Sequence, residues 1–459
     1  MSDERADVPH LAAAAAYLEG LIDLEKERVP RRERLSLAPI RALLDRLGAP
    51  ERGLSVVHVG GSKGKGSTAL LAESVLRAAG ARVGTFTSPH LERWTERFRV
   101  DGEEIAPVRL AAAVARLRPH VDALRAAGGA VVPSFFDATT AAALLLFREL
   151  RVDHAVLEVG LGGRLDSTNA AESAVCCITS IELEHTEILG DTLAAIAREK
   201  AGILKPGVPV VCGDLPPEAL SVVERRATEL GCPLARLGKE IEVEVEIDAP
   251  DASRLRFREG DLCFAASLRV PGAHQAANAA LAVAAARRVL EPRLAPARLA
   301  DAARAGLEAA QLPARVEILE RAPWVVVDTA HTGASARALA AVLARVGRPV
   351  DFVMSVSAGK DTSAILAALL PLARSLTLTR AEPVRSLDPR EIAEVARAAR
   401  PGLTIRVVPN PHLALRAARE ALGSEALLCA TGSVYLAGIA RRVLSEYARR
   451  ASPVDASPR

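Results

Sequence analysis

"VVHVGGSKGKGSTALLAESVLRAAG", residues 56–80, sets an apolar β-branched run, a glycine-rich turn and an amphipathic helix in succession. That order is the layout of a phosphate-binding loop. The spacing departs from the common pattern, in which four residues separate the first glycine from a Gly-Lys pair followed directly by Ser or Thr. Here Gly64-Lys65 is followed by Gly66, and only then by Ser67 and Thr68. Gly60, Gly61, Gly64 and Gly66 let the backbone turn tightly with its N–H groups inward, and Lys65 adds a point charge. A helix beginning near Ser67 offers unpaired N–H groups at its positive dipole end. Together these suit a polyphosphate. Lys63 reads as a solvated loop charge.

Outward from this stretch the chain keeps alternating. Strands are expected over 54–59, 82–87, 154–159, 175–181 and 208–212, and helices over 67–79, 108–127, 138–150 and 193–201. Residues 11–50 read as helices, the second stopped by Gly48 and Pro50. The alternation predicts an α/β fold with a parallel sheet covered on both faces. Over 238–270 the pattern shortens to alternating runs such as "KEIEVEVEID", which predicts an antiparallel β insert. Helices follow to about Gly306. A second α/β series with the strands "WVVVDTA", "VDFVMSV", "SLTLTR", "LTIRVVP" and "ALLCATG" begins near Leu312, so a domain boundary is placed at 308–312. The tail "ASPVDASPR" reads as disordered.

Composition bounds the rest. A chain of 459 residues exceeds one ordinary core, and a net charge of +3 names no nucleic-acid or membrane-surface partner. The six cysteines, at 176, 177, 212, 232, 263 and 429, form no Cys-x-x-Cys pair and read as buried thiols of a reducing cytoplasm. No signal-peptide pattern opens the chain, and no apolar run reaches the roughly 20 residues that span a bilayer.

Four further positions carry polar chemistry at strand ends, where parallel sheets bind ligands. Ser88 follows the 82–87 strand and either ligates a metal or starts a turn. Glu158 closes an apolar strand. Its carboxylate is matched by a hard cation, a salt bridge to Arg164 or solvent. Asp166 accepts from a substrate or caps its own turn, and His185 is a metal ligand or a surface histidine. Lys200, from spacing alone, is an exposed helix-end lysine. No Ser-His-Asp order, zinc spacing or dinucleotide fingerprint is present.

These segments in this order resemble the folylpolyglutamate synthase/dihydrofolate synthase family of the Mur ligase superfamily. The motifs are the Gly61–Ser67 loop with Ser62 for the usual Thr, "TSPHL", "ER" at 96–97, "LEVGLGGRLDSTN", "IAREKAGI", "LPARVE", "DTAH" and "TGSVYLAG". The resemblance implies an ATP-dependent ligase that joins L-glutamate to dihydropteroate or to a reduced folate through an acyl phosphate. It implies residues 1–310 as a P-loop ATPase-like domain binding ATP and pterin, and 311–459 as a Rossmann-like glutamate ligase domain. By the same resemblance Gly64, Lys65, Gly66 and Ser67 hold the phosphates of ATP, and Asn278, Arg315 and Asp328 contact adenine, a phosphate and the ribose. Ser88, Glu158 and His185 ligate Mg2+. Ser134, Phe135, Leu165, Asp166 and Ser167 line the pterin pocket. Lys200 becomes a carbamate, which reverses its local reading, so that Lys65, Lys200 and His185 form the catalytic group. Mg2+, ATP and K+ are the expected cofactors, and the protein is expected to be a cytoplasmic monomer with small-molecule partners only. The chain departs from the family at Thr332-Gly333, where Asn-Pro is usual, and at Lys63, where Asn is common. The competing readings are a Mur-type peptide ligase of cell-wall precursors, a P-loop NTPase without ligase activity, and a binding module that has lost catalysis.

Overall fold

The structure, a computed structural model, describes residues 8–22, 35–291 and 293–451. Contact clustering divides the chain into two compact units. The first comprises residues 1–246, 254–267 and 275–311, and the second 247–253, 268–274 and 312–459. The N-terminal stretch, part of the helical reading over 11–50 and most of the expected disordered tail lie outside the described residues.

The first unit opens with α1 (Val8–Glu19) and α2 (Ala38–Arg46). There follow β1 (Ser55–Gly60), α3 (Lys65–Ala78), β2 (Val83–Phe86), β3 (Phe98–Val100) and β4 (Glu103–Glu104). Next come α4 (Pro107–Ala127), α5 (Phe135–Glu149), β5 (His154–Glu158), β6 (Ser173–Ile178), α6 (Thr186–Leu189) and α7 (Leu193–Lys200). β7 (Val210–Cys212), α8 (Pro217–Glu229) and β8 (Leu234–Arg236) complete the sheet, whose order is β4-β3-β2-β5-β1-β6-β7-β8. From β2 to β8 neighbouring strands are parallel; β3 and β4 add an antiparallel edge.

One core gathers α1, α2, α4 and α5 around Phe86, Leu157 and Phe147, and another sets α7 and α8 against Cys176, Ile178 and Val210. Cover on both sides explains the buried apolar residues Val56, Val57 and Val59 of β1 and Ala155, Val156 and Leu157 of β5. The strand order also decides where the chemistry can sit. The loops that follow β2, β5, β1 and β6 leave the same carboxyl edge side by side, and they contain Ser88, Glu158–Asp166, the glycine-rich turn and His185.

A three-stranded sheet, β9 (Glu242–Asp248), β10 (Ser253–Glu259) and β11 (Leu262–Leu268), is the expected insert, and α9 (Ala273–Leu290) and α10 (Pro296–Ala309) follow it. The six-stranded sheet of the second unit runs β12-β13-β17-β14-β15-β16. Its strands are β12 (Glu317–Arg321), β13 (Trp324–Val327), β14 (Val350–Met354), β15 (Ala373–Leu378), β16 (Thr404–Val407) and β17 (Leu427–Thr431). Between and after them lie α11 (Gly333–Val346), α12 (Thr362–Leu369), α13 (Pro389–Ala399), α14 (Pro411–Glu420) and α15 (Val434–Ala451). β12 is antiparallel to β13 and the rest is parallel.

Several boundaries moved for physical reasons. α5 begins at Phe135, three residues before the expected start, because Ser134 and Asp137 form a reciprocal cap, with Asp137 N–H to Ser134 Oγ at 3.2 Å and Ser134 N–H to Asp137 Oδ2 at 2.8 Å. The strand expected to reach residue 181 ends at Ile178, since the Thr179 hydroxyl turns to the Lys63 carbonyl at 2.6 Å. Short β4 and polar β12 carry no alternating apolar signal and were not expected. Cys176, Cys177, Cys212 and Cys429 are buried as anticipated, whereas Cys232 is half-buried and Cys263 exposed on the outward face of β11. Among the described residues, no helix is long and apolar enough to cross a membrane.

The phosphate-loop helix α3 is seated by α10. Ser74 Oγ donates to the Gly306 carbonyl at 2.7 Å, and a Cβ on Gly306 would lie 2.6 Å from the Cα of Val75. Neither contact is with a flexible side-chain end, so the helices must part to admit a larger residue. Gly306→Val is expected to cost about 1–3 kcal/mol, by overpacking. A urea titration should show a lower midpoint at an unchanged slope; an unchanged midpoint would refute this account of the seat.

Candidate active site

The glycine-rich turn is built by backbone geometry that side chains resist. Gly61 has φ +140° and Gly64 φ +83°, and a Cβ on Gly64 would collide with the Asn278 carboxamide. α3 starts at Lys65, directly after Gly64, with no side-chain cap. Its first N–H groups are therefore available to an anion. Asn278, 9% exposed, lies against the turn and donates to Gln275 Oε1 at 3.0 Å.

Ammonium groups converge on this turn. Lys65 Nζ donates to the Gly61 carbonyl at 2.9 Å and to the Ser62 carbonyl at 3.3 Å. Lys200 Nζ donates to the same Gly61 oxygen at 2.9 Å and to Glu184 Oε1 at 3.0 Å. Lys63 Nζ meets the other Glu184 oxygen at 3.2 Å, so it is not the solvated loop charge its sequence position suggested. Burial would raise the Glu184 carboxyl, but Lys200, Lys65 and Lys63 outweigh it and hold the group at about 2. Burial, then the charge of Lys65, lowers Lys200 to about 8 against the opposing pull of Glu184. Lys200 is 2% exposed, which overturns its reading as a surface lysine.

Across β1, Glu158 is 5% exposed and accepts the Ser88 N–H at 2.9 Å. Arg164 pairs instead with Glu199 at 3.1 Å, so neither the Arg164 bridge nor a solvated strand end describes Glu158. His185 is exposed, adopts the left-handed conformation at φ 47°, and follows Glu184 directly. Among the described residues no three His, Cys, Asp or Glu side chains are grouped to hold a metal. The trio Ser88, Glu158 and His185 contains only two such groups. A hydroxyl, a carboxylate and an imidazole fit a hard divalent cation that keeps waters or phosphate oxygens as its other ligands.

The loop that follows β5 lines a cavity of about 480 Å³ whose wall includes Ser134, Phe136, Asp137, Leu165, Asp166 and Ser167. Phe136 faces it, while Phe135 packs on Trp94 at 5.6 Å under the Arg97 guanidinium. Asp166 caps its own turn. Oδ2 accepts from Gly160 and Leu161 N–H at 3.0 and 2.9 Å, and Oδ1 from Thr168 N–H at 3.0 Å and the Thr168 hydroxyl. Its burial still pushes the carboxyl up to about 6. Asp137 accepts from the Ser134 and Ser167 hydroxyls at 2.6 and 2.7 Å. Glu184, Asp137 and Phe136 were not singled out from the sequence. Glu184 shares "IELEHT" with Glu182, and nothing in the spacing separates the two.

In the second unit Arg315 stands between Ala314 and Val316, both left-handed at φ 52° and 49°. For a β-branched residue that is a strained conformation. It is held by Asp328, whose oxygens accept from Val316 and Ala330 N–H at 2.8 and 2.7 Å, and by Glu317, which accepts from Ala314 N–H at 2.7 Å. Arg315 itself donates to the Thr329 hydroxyl. The Thr332-Gly333 departure is accommodated. Thr332 and Ser335 cap α11 reciprocally, and a Cβ on Gly333 would lie 2.8 Å from Ala364 of α12. His331 Nδ1 lies 2.8 Å from the Thr329 carbonyl and so carries the proton there.

His58, fully buried in β1, is lowered to about 3 by burial, then by Lys205. Unfolded, it takes a proton near pH 6.5. The unfolded state therefore binds more protons between those values, and stability falls as pH drops from about 6.5 towards 3, by roughly 1 kcal/mol per pH unit from this group. Denaturation midpoints measured across that range should fall less steeply in His58→Leu; parallel profiles would refute the assignment.

Comparison with known proteins bears on the family of the chain. Residues 314–434 match the Mur ligase, glutamate ligase domain family. The chain is 33% identical to the dihydrofolate synthase/folylpolyglutamate synthase of Bacillus subtilis over 420 residues, covering 89% of this chain and 94% of that one. It is 35% identical over 410 residues to a probable bifunctional folylpolyglutamate synthase/dihydropteroate synthase of Haloferax volcanii, and there it spans about half of the relative, 47%. The Mycobacterium tuberculosis folylpolyglutamate synthase complexed with ADP and AMPPCP superposes with a TM-score of 0.85 at 31% identity, over 95% of this chain and 98% of that one. Escherichia coli FolC in complex with DHPP and ADP superposes with a TM-score of 0.80 at 31% identity, over 96% and 98%. A phosphate turn of this unusual spacing, the strand-end residues beside it and near full-length similarity lead to one assignment: the chain belongs to the folylpolyglutamate synthase/dihydrofolate synthase family.

Proposed function

We propose that this chain uses ATP to join L-glutamate to dihydropteroate and to reduced folates, through an acyl phosphate formed on the acceptor carboxylate. The observation that carries this is the cluster at the glycine-rich turn, where Lys63, Lys65 and Lys200 surround one carboxylate, Glu184. Lys65 and Lys63, together with the N–H groups at the start of α3, suit a polyphosphate. Lys65 and the N–H groups of Gly64, Gly66 and Ser67 hold the phosphates. Asn278 contacts the adenine, Arg315 a phosphate and Asp328 the ribose. Ser88, Glu158 and His185 would hold Mg2+, which would supply charge neutralisation for phosphoryl transfer. Ser134, Leu165, Asp166 and Ser167, with Phe136 beside Phe135, receive the pterin. The match at 314–434 supports residues 311–459 as the glutamate ligase half, and residues 1–310 serve ATP and pterin. K+ as an activating ion and a monomeric, cytoplasmic state belong to the same proposal.

Lys200 is proposed to carry a carbamate. A neutral amine attacks carbon dioxide, forming the N–C bond, and a proton leaves to give the anion. Burial that lowers Lys200 to about 8 raises the neutral fraction near neutral pH. The product turns a competing cation beside the turn into an anion that helps hold metal.

Phosphate release measured with Mg2+, ATP and L-glutamate is expected with dihydropteroate and with tetrahydrofolate, each matched by a mass gain of one glutamate. Release independent of any acceptor would sink the ligase and favour a plain NTPase. Lys65→Ala and Glu158→Ala are expected to lose activity by about a hundredfold or more while staying folded by circular dichroism, as charge stabilisation of the transferring group is removed. Lys200→Ala should be inactive and partly restored by added short carboxylic acids; full activity without them would rule out the carbamate.

A further inference from the structure

We propose that His58 is a positioning residue for the acceptor, acting through the Thr168 hydroxyl to fix the Asp166 carboxylate on the cavity wall. This rests on the reading of that cavity as the acceptor site.

His58 lies in the central strand β1, two residues before Gly60, and has no exposed surface. A buried imidazole is costly unless its nitrogens are satisfied. Nε2 is 2.9 Å from Thr168 Oγ1, and Ser173 Oγ lies 3.4 Å from Nδ1. Thr168, also fully buried, donates its hydroxyl to Asp166 Oδ1. The direction of this chain follows from counting protons. A carboxylate only accepts, and a hydroxyl has a single hydrogen. Thr168 gives that hydrogen to Asp166, so its lone pair must take the Nε2–H of His58. This selects one tautomer and leaves Nδ1 to accept from Ser173. Burial keeps the ring neutral, so the tautomer persists at working pH.

Asp166 is thereby oriented by three backbone N–H groups and one hydroxyl, and only the hydroxyl can rotate. His58 removes that freedom. The neighbouring hydroxyl of the same turn, Ser167, donates to Asp137 at 2.7 Å with no imidazole behind it. Loss of His58 should therefore loosen one carboxylate. An acceptor seated against this wall loses alignment when the Asp166 turn loosens, while the glycine-rich turn keeps its lysines.

The test uses the full chain with Mg2+, ATP and L-glutamate, and measures KM for dihydropteroate, tetrahydrofolate and ATP in His58→Leu, His58→Gln and Thr168→Val. Circular dichroism reports folding. Thr168→Val, which removes a hydrogen bond to the carboxylate, is expected to raise the acceptor KM about tenfold, and His58→Leu, which removes one to the neutral Thr168 hydroxyl, about fivefold, each with the ATP KM within about twofold. His58→Gln, which keeps an N–H within reach, should recover most of that loss. Should His58→Leu fail to fold, Thr168→Val decides, because it removes the hydroxyl at nearly constant shape. An unchanged acceptor KM in a folded variant overturns the proposal. So does an ATP KM that rises in proportion, or a His58→Gln protein no better than His58→Leu. A wild-type chain that adds glutamate to neither acceptor fails the functional reading first, before any variant is compared.

Discussion

One carbonyl oxygen, that of Gly61, accepts from two ammonium groups, Lys65 and Lys200, each at 2.9 Å. Like charges brought this near repel; two unit charges about 4 Å apart cost about 4 kcal/mol at an effective dielectric of 20. Glu184 makes the arrangement tenable, with one oxygen to Lys200 and the other to Lys63. Much of the site depends on that balance. Lys200 reaches the turn because α7 ends there, and α7 is held by the core that packs against β6 and β7. Glu184 is delivered by the loop that leaves β6, whose Thr179 and Ser180 also bind the Lys63 peptide unit. The lysine cluster is thus a product of the sheet order, which sets the β6 loop beside the β1 loop.

The architecture was legible because apolar periodicity and punctuation agree with it. β1, β5 and β17 are short apolar runs followed by glycine or polar turns, and each stands within a residue or two of where the pattern puts it. Elements with little side-chain signal escaped. β4 has two residues, and β12, "EILER", is paired by backbone to β13 while its side chains make ion pairs with Arg441 and Arg419. The site was legible in a different way. Glycines, Lys65 and Glu158 declare themselves by residue type and place on a strand end. Lys200 does not, since a lysine at the end of an amphipathic helix is ordinarily solvated, and only tertiary packing buries it. Phe135 and Phe136 are adjacent and chemically alike; the Ser134 cap sets the phase of α5 and so decides which ring faces the cavity.

The second unit shows strain kept where a side chain must be aimed. Two left-handed residues flank Arg315, and such conformations cost of order 1–3 kcal/mol each away from glycine. Asp328 and Glu317 offset that cost by binding the backbone N–H groups of Val316 and Ala314. Asp328 therefore latches the arginine loop whatever else it touches. The Thr332-Gly333 pair follows similar logic. Thr332 supplies the helix cap, and Gly333 supplies room for α12, so the turn is fixed by hydrogen bonds and close packing in place of a proline ring.

β1 links the two halves of the first unit's site more directly than any loop. Its carboxyl end becomes the phosphate turn, while His58 in its middle is tied through Thr168 to a carboxylate on the cavity wall. A strand buried on both faces is normally furnished with apolar side chains, because each buried polar group must be matched by a partner. Val56, Val57 and Val59 follow that rule and His58 does not. An apolar residue would pack there at less cost, so stability alone does not explain an imidazole at that position. What the ring adds is a directed N–H on the one element that also sets the phosphate turn. The cavity wall and the glycine-rich turn then share a rigid frame, which suits the proposed phosphoryl transfer between two aligned substrates.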